Sequence, residues 1–436
     1  MGRCLKLGVV FAATTLCLSG TGLAQPLTDR AANEGPGFKA GRFVLHPGLA
    51  IEGGYDNNVF LQDTNTEDSF ILRLTGYLDF ATEGPQRQAQ GDSKPEPQKI
   101  TFRGGLGAQY LHYFNDRVRD NVAADAHFHF AYNPSRVFSL QLYDRFRRTV
   151  QPFSDPNVLV GETTSYGLNT NNAGVDFVVR SRSEVLEGRV GYRNSFVFFD
   201  SQLYQYADNL THRVPAQLSW RFFPSSAIVY EFEYAHQDYV NPELVFLSPT
   251  ALSDNNRVKS QIGYNGALTN TLSLAAFVGY TAGLYDALED FDDVTARVEL
   301  GWTPRPTIKL DGGYTRDTVP SFIGNFISFN RLHLNATFTA AGALVVGVRS
   351  WVSFDKSGLA LRPDGAFVGT EPRREGIRTR VALWGEYRFR SWISMFAEVA
   401  YLADFTNFQF IGIGPLVDPT AQYQKVQAWI GLRVFY

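Results

Sequence analysis

Cysteine and methionine are almost missing from this chain, at two each in 436 residues, and both cysteines, Cys4 and Cys17, lie close to the amino end. Beyond Cys17 there is no thiol, which excludes disulfide staples, thiolate metal centres and cysteine nucleophiles from the rest of the chain. A charge bias is missing too: 40 Lys+Arg stand against 43 Asp+Glu, a formal charge of −3, so nothing attracts nucleic acid in bulk. Charged residues reach only 19% while aromatics reach 14%, which is the wrong balance for a disordered chain. The 39 glycines follow no period of three, which excludes a collagen. Past the first two dozen residues no apolar run is long enough for a transmembrane helix, which needs roughly 18 residues.

What is present begins with an export signal. Arg3 and Lys6 precede the apolar stretch Leu7 to Leu18, and Gly22-Leu23-Ala24 supplies the small residues of a cleavage site. Residues 1–24 read as a signal peptide, residues 25–40 as a flexible periplasmic segment, and 41–436 as one domain. Both cysteines leave with the signal.

The domain is dominated by a period of two. In Asp293-Val294-Thr295-Ala296-Arg297-Val298-Glu299-Leu300-Gly301-Trp302 every even position is apolar and every odd one is charged, polar or glycine. A strand with one wet face has this pattern, whereas a helix would mix the two sets. The same alternation predicts strands over 42–55, 69–81, 99–114, 119–133, 136–151, 165–180, 184–199, 206–223, 226–240, 254–268, 271–285, 291–303, 306–319, 326–339, 342–355, 374–389, 391–406 and 420–436. That gives about 18 strands. Tight turns such as Asn133-Pro134-Ser135, Pro224-Ser225 and Pro304-Arg305 alternate with long connections such as 241–253 and 407–419.

Short turns at one end and long loops at the other, with an even strand number, describe an all-β, transmembrane antiparallel up-and-down barrel in the bacterial outer membrane. Closure is obligatory there, because hydrocarbon offers no water to free backbone N–H and C=O groups. Trp220, Phe222 and Trp302 fall beside the short turns on the apolar phase, where an aromatic girdle belongs. Pro47 and Pro215 interrupt strand segments and predict bulges or ends of pairing. The segment Thr82 to Gln98, rich in Gln, Pro and Glu, reads as a flexible periplasmic excursion.

The first strand carries a likeness. Gly41-Arg42-Phe43-Val44-Leu45-His46-Pro47-Gly48-Leu49, followed by Tyr55, Asp56, Asn57, Asn58, Val59 and Phe60, resembles the opening of the β-barrel porin 2 family. The resemblance implies an outer-membrane conduit for exopolysaccharide or capsule, working with a periplasmic polysaccharide-export partner and a secreted glycan. The expected surroundings are the lipid bilayer, lipopolysaccharide and the outer-membrane assembly machinery. A general diffusion porin for small, anionic solutes is the alternative reading, and a barrel-wall hydrolase is a second one. The Tyr55–Asn58 run itself admits a cation site or an Asx-rich exit turn.

If the apolar phase meets lipid, the other phase lists the pore. It carries Arg145, Arg147, Arg189, Arg193, Arg297, Arg331, Arg349, Arg378 and Arg380 among its basic residues, and Asp125, Asp176, Glu231, Glu299 and Glu398 among its acids. Arginine is in modest excess, which favours anions unless these groups pair among themselves. Trp351, Trp384, Trp392 and Trp429 fall on the same phase of the last four strands and are candidates for stacking on sugar rings.

Asp125, His127 and His129 share one strand face, but no fourth ligand can be named, so no metal is assigned. No strained nucleophile turn and no glycine-rich phosphate loop is present, and no catalytic residue or cofactor is assigned. The chain reads as a conduit and not an enzyme.

Overall fold

The computed structural model describes residues 37–82, 98–150, 167–241, 252–287, 289–321, 324–340, 342–361, 367, 369–406, 408–409 and 422–436. The expected signal peptide and nearly all of the Thr82–Gln98 excursion lie outside them. Eighteen long strands follow one short one: β1 (Phe38–Ala40), β2 (Phe43–Asp56), β3 (Ser69–Thr82), β4 (Ile100–Tyr113), β5 (Asn121–Tyr132), β6 (Phe138–Val150), β7 (Gly167–Arg180), β8 (Leu186–Phe199), β9 (Asn209–Phe223) and β10 (Ser226–Tyr239). The second half continues with β11 (Asn255–Ala267), β12 (Leu272–Tyr285), β13 (Phe291–Arg305), β14 (Ile308–Pro320), β15 (Phe326–Ala340), β16 (Leu344–Ser357), β17 (Glu375–Arg390), β18 (Ile393–Thr406) and β19 (Tyr423–Phe435).

Each strand from β2 to β19 pairs antiparallel with its chain neighbour, and β19 returns to β2 over Gln427–Phe435 against Gly48–Asp56. The barrel is closed. It extends further toward the amino end than the expected boundary at residue 41, because β1 pairs with β2 beyond the point where β19 stops, Phe38 opposite Leu45. Gly41 turns this small hairpin at φ 65°, a region glycine enters without steric cost. The Phe38 ring then stacks on that of Tyr436, centroids 4.0 Å apart, covering the seam.

Both prolines act as their missing N–H dictates. Pro47 sits where β2 has run past Gly48, its last partner on β19, and Pro215 falls in a gap of the β8–β9 ladder between Val190↔Ala216 and Arg193↔Arg213. The turn expected at Pro304-Arg305 lies two residues later, because the β13–β14 register shifts between Trp302 and Arg305 and keeps Arg305 in the strand.

The two phases separate inside from outside. Val294, Val298, Leu300 and Trp302 are exposed on the outer surface of β13, as are Leu49, Ile51, Leu334, Leu383, Val399 and Ile430 on other strands. A soluble protein does not leave such a belt uncovered. Near the long loops it is bounded by tyrosines whose hydroxyls donate to the returning strand: Tyr110 to Asp120, Tyr234 to Asn256, Tyr280 to Asp292 and Tyr314 to Asn330. Near the short turns it is bounded by Trp220, Phe222, Phe223, Trp302, Tyr387 and Phe389. Tyr280 lies opposite Val294, so eight residues of β13 separate the two girdles. At about 3.3 Å per residue and a strand tilt near 40°, the belt is about 20 Å tall, close to the apolar band of an outer-membrane barrel.

Candidate functional site

The inner phase is the candidate site, and its charge is distributed unevenly around the wall. On β5–β9 the inward positions carry Arg145, Arg147, Arg189, Arg193 and Arg213, with Asp125, Asp176 and, toward the short turns, Glu187 as the acids among them. Asp125 is shared: its Oδ2 accepts from Arg145 Nε at 2.9 Å and lies 3.5 Å from Arg147 Nε. Asp176 is reached by both Arg189 and Arg193 at 3.9 Å. Arg193 and Arg213 stand directly opposite each other across β8 and β9. Like charges in that relation repel, so this sector presents net positive charge to the lumen.

The next sector has the opposite balance. Across β10–β14 the inward acids Glu231, Glu233, Asp293, Glu299, Asp311 and Asp317 outnumber Arg257, Lys259, Arg297 and Lys309. Lys259 Nζ donates to Asp317 at 2.6 Å, and His333 lies 3.0 Å from Glu299. Arg297 reaches Glu231 at 4.0 Å, with its guanidinium 4.5 Å from the centre of the Phe277 ring.

From β16 through the seam to β4 the inward charges pair densely with one another. Glu52 is fully buried between Arg73 (2.6 Å) and Arg433 (2.9 Å), and Glu386 extends the chain to Arg433 at 3.6 Å and Arg388 at 3.7 Å. Glu398 takes Arg380 at 2.9 Å and Arg349 at 3.6 Å. Arg378 bonds Asp355, and Arg374 bonds Asp404 at 2.6 Å. The Arg73, Arg378 and Arg433 side chains keep only 5–8% of their surface accessible, whereas Arg145, Arg147, Arg189 and Arg193 keep 19–40%. Water therefore reaches the β5–β9 arginines and not Arg73, Arg378 or Arg433, while Arg349 and Arg388 in the seam sector keep 27% and 33%. Arg331 makes no ion pair among the described residues; its guanidinium lies 5.1 Å from the Phe329 ring centre and 5.0 Å from that of Trp351.

All nine arginines expected in the lumen face it. Alternation missed Glu52, Asp56, Asp355, Asp404 and Lys425, which are inward as well. Their signal was present, since each keeps the inner phase of its strand, but Gly53-Gly54 and the strand ends blur it.

Three of the four tryptophans also face inward, and each carries an arginine over one ring face: Arg331 on Trp351 at 5.0 Å, Arg349 on Trp384 at 4.7 Å and Arg73 on Trp429 at 4.0 Å. These contacts orient the guanidinium groups and occupy one face of each indole. Trp392 departs from expectation. β18 begins at Ile393, so Trp392 sits in the short turn at the rim, 47% exposed.

The Tyr55–Phe60 run folds inward as an Asx turn. Asp56 Oδ1 accepts from the Asn58 N–H at 3.0 Å, and its Oδ2 faces Lys425 Nζ at 2.6 Å and Gln427 Nε2 at 2.9 Å. The carboxylate is thus taken by the protein's own cation, which removes the case for a bound metal ion there. His127 lies 3.1 Å from the Asp125 carboxylate already held by arginine, and among the described residues no histidine bonds a serine.

A closed barrel with an apolar belt outside, two aromatic girdles and a charged interior is a transmembrane β-barrel of the bacterial outer membrane. No family model matches the chain, and no curated protein does. Among solved structures it is similar to the outer membrane protein OpdK of Pseudomonas aeruginosa, at 10% identity over 90% of this chain and 99% of that one, with a TM-score of 0.42. It is similar also to the anion-selective porin of Comamonas acidovorans, at 9% identity over 90% of this chain and 99% of that one, TM-score 0.39. A third likeness is to the alcaligin outer-membrane receptor FauA of Bordetella pertussis, at 10% identity over 92% of this chain and 77% of that one, TM-score 0.41. Likeness at this level says nothing about solute or partner.

Proposed function

We propose that the chain is an outer-membrane channel through which small solutes diffuse, with a preference for anions. The observation that carries this reading is the water-accessible arginine wall of β5–β9, where Arg145, Arg147, Arg189, Arg193 and Arg213 exceed Asp125, Asp176 and Glu187. An eighteen-stranded barrel is wide enough for an aqueous path, and guanidinium groups along it raise the local anion concentration. The conduit for exopolysaccharide, with its periplasmic partner, falls behind. Arginine takes one face of Trp351, Trp384 and Trp429, and Trp392 lies at the rim, so no continuous indole track is left for a sugar chain.

Purified protein in a planar bilayer under a potassium chloride gradient tests the proposal. The expected result is steady conductance without any partner and a reversal potential favouring chloride. Removing a unit charge about 4 Å from the path in water changes an ion's energy by ~1 kcal/mol, so Arg193→Gln alone lowers the chloride preference about fivefold. Cation preference in the parent chain would sink the reading.

A further inference from the structure

We infer that the first long loop, residues 57–68, sets the size limit of the pore, and that Asn58 is the residue that positions it; this rests on the reading of the chain as a diffusion channel. The decisive observation is on the opposite wall. Ala382 and Ala400 pair with each other on β17 and β18, half-way along both strands, on the phase that faces the lumen. In an open lumen they would be wet, yet they are 0% and 1% exposed. Leu61 covers them, packed with Leu402 and Tyr423 in one buried cluster. Val59 makes a second cluster with Ile71, Leu111, Tyr113 and Trp429, again inner-phase residues, and with Val118 of the next loop. The loop therefore lies against the inside of the barrel rather than over its mouth, and alanine at 382 and 400 leaves room for it.

Asn58 holds the loop in that place. Its Nδ2 donates to the carbonyls of Gln62 (2.7 Å) and Gln424 (2.9 Å), while its Oδ1 accepts from the Gln62 N–H at 2.9 Å. One side chain thus closes the turn and ties it to β19. The Val59 N–H bonds Glu67 O at 2.9 Å and shuts the base, and Asn57 exchanges bonds with the Val426 backbone. Leu61 sits at φ 54°, a left-handed conformation unfavourable for leucine, which the packing and these bonds maintain. With the seam wall lined in this way, the remaining passage is bounded by the β5–β9 arginines and the acid-rich β10–β14 wall.

The test compares the parent with Asn58→Ala and with Val59→Asp, whose carboxylate cannot remain in an apolar cluster. Single-channel conductance and the cut-off for neutral polyethylene glycols of graded size are read in the same bilayer, and the heat-induced shift in gel migration reports the folded barrel. Both variants are expected to conduct about 1.5- to twofold more than the parent and to admit larger polymers, because the loop lines six of the eighteen strands. Should Asn58→Ala fail to insert, a chain with residues 59–66 replaced by two glycines reads the same quantities. Unchanged conductance and cut-off in folded variants overturn the inference while leaving the channel reading in place. Absence of conductance in every chain overturns both, and the reversal potential, which depends on the untouched arginine wall, reports on the channel reading separately.

Discussion

A glutamate with no exposed surface is the residue on which the seam depends. Glu52 offers one oxygen to Arg73 and the other to Arg433, and those guanidinium groups rest on Trp429 (4.0 Å) and Phe396 (3.8 Å). A buried ion pair contributes little net stability, because desolvation offsets attraction. Removing one partner is different, since two cations then share a dry site with Glu386, 3.6 Å from Arg433. Glu52→Gln keeps the volume and loses the charge, and it is expected to lower stability by about 3–5 kcal/mol. Urea titration of the barrel refolded in vesicles measures this; an unchanged midpoint would show that the carboxylate's charge is unimportant. Glu52 keeps the inner phase of β2, as Asp56 does, but alternation did not single it out, because Gly53-Gly54 interrupt the pattern beside it. Its partner Arg433 was not legible as such, because only closure of the barrel brings residue 433 beside residue 52.

Hairpins are the unit at the next scale, and their loops carry most of what alternation could not reveal. Strand positions came within about three residues of the alternating segments, because the membrane enforces period two along every crossing. Loop conformation has no such constraint, so nothing in Asn57–Phe60 announced an inward fold. The connection between β12 and β13 shows how loops fasten to each other: Glu289 accepts from Arg373 at 2.5 Å and from the Leu359 N–H at 3.1 Å. Burial alone would raise the Glu289 pKa, but the Arg373 bond, the Leu359 N–H and the nearby positive charge together hold it below the ordinary carboxylate value. A depressed folded pKa means the contact contributes fully above the unfolded value, about 4.3, and is lost as pH falls through the folded one. Hydrogen exchange at the Leu359 amide is therefore expected to stay slow from neutral pH to about 5 and to gain in protection-corrected rate below about 4. Glu289→Gln should show the faster rate at every pH, and a pH-independent rate in the parent would contradict the assignment.

At the scale of the molecule, one partition produces both the fold and the path. Val298 and Arg297 are neighbours in sequence, at the middle of β13, yet Val298 belongs to the outer belt and Arg297 reaches along the inner wall toward Glu231 on β10. A one-residue slip would exchange their environments, placing Arg297 in hydrocarbon at a cost of about 2–4 kcal/mol. The same penalty repeated along each strand fixes the register of the whole barrel without disulfides, and it explains why period two was enough to read the architecture. Charge balance around the lumen was less accessible, because it depends on which strands become neighbours in space and which inner residues are covered by a loop. Spin labels placed singly at residues 298 and 297 in the vesicle-embedded barrel distinguish the two faces. Relaxation by oxygen, which concentrates in lipid, should dominate at 298, and relaxation by a water-soluble nickel chelate at 297. Equal accessibility at the two positions would mean that neither face meets lipid, and the arginine wall would then have no lumen to charge.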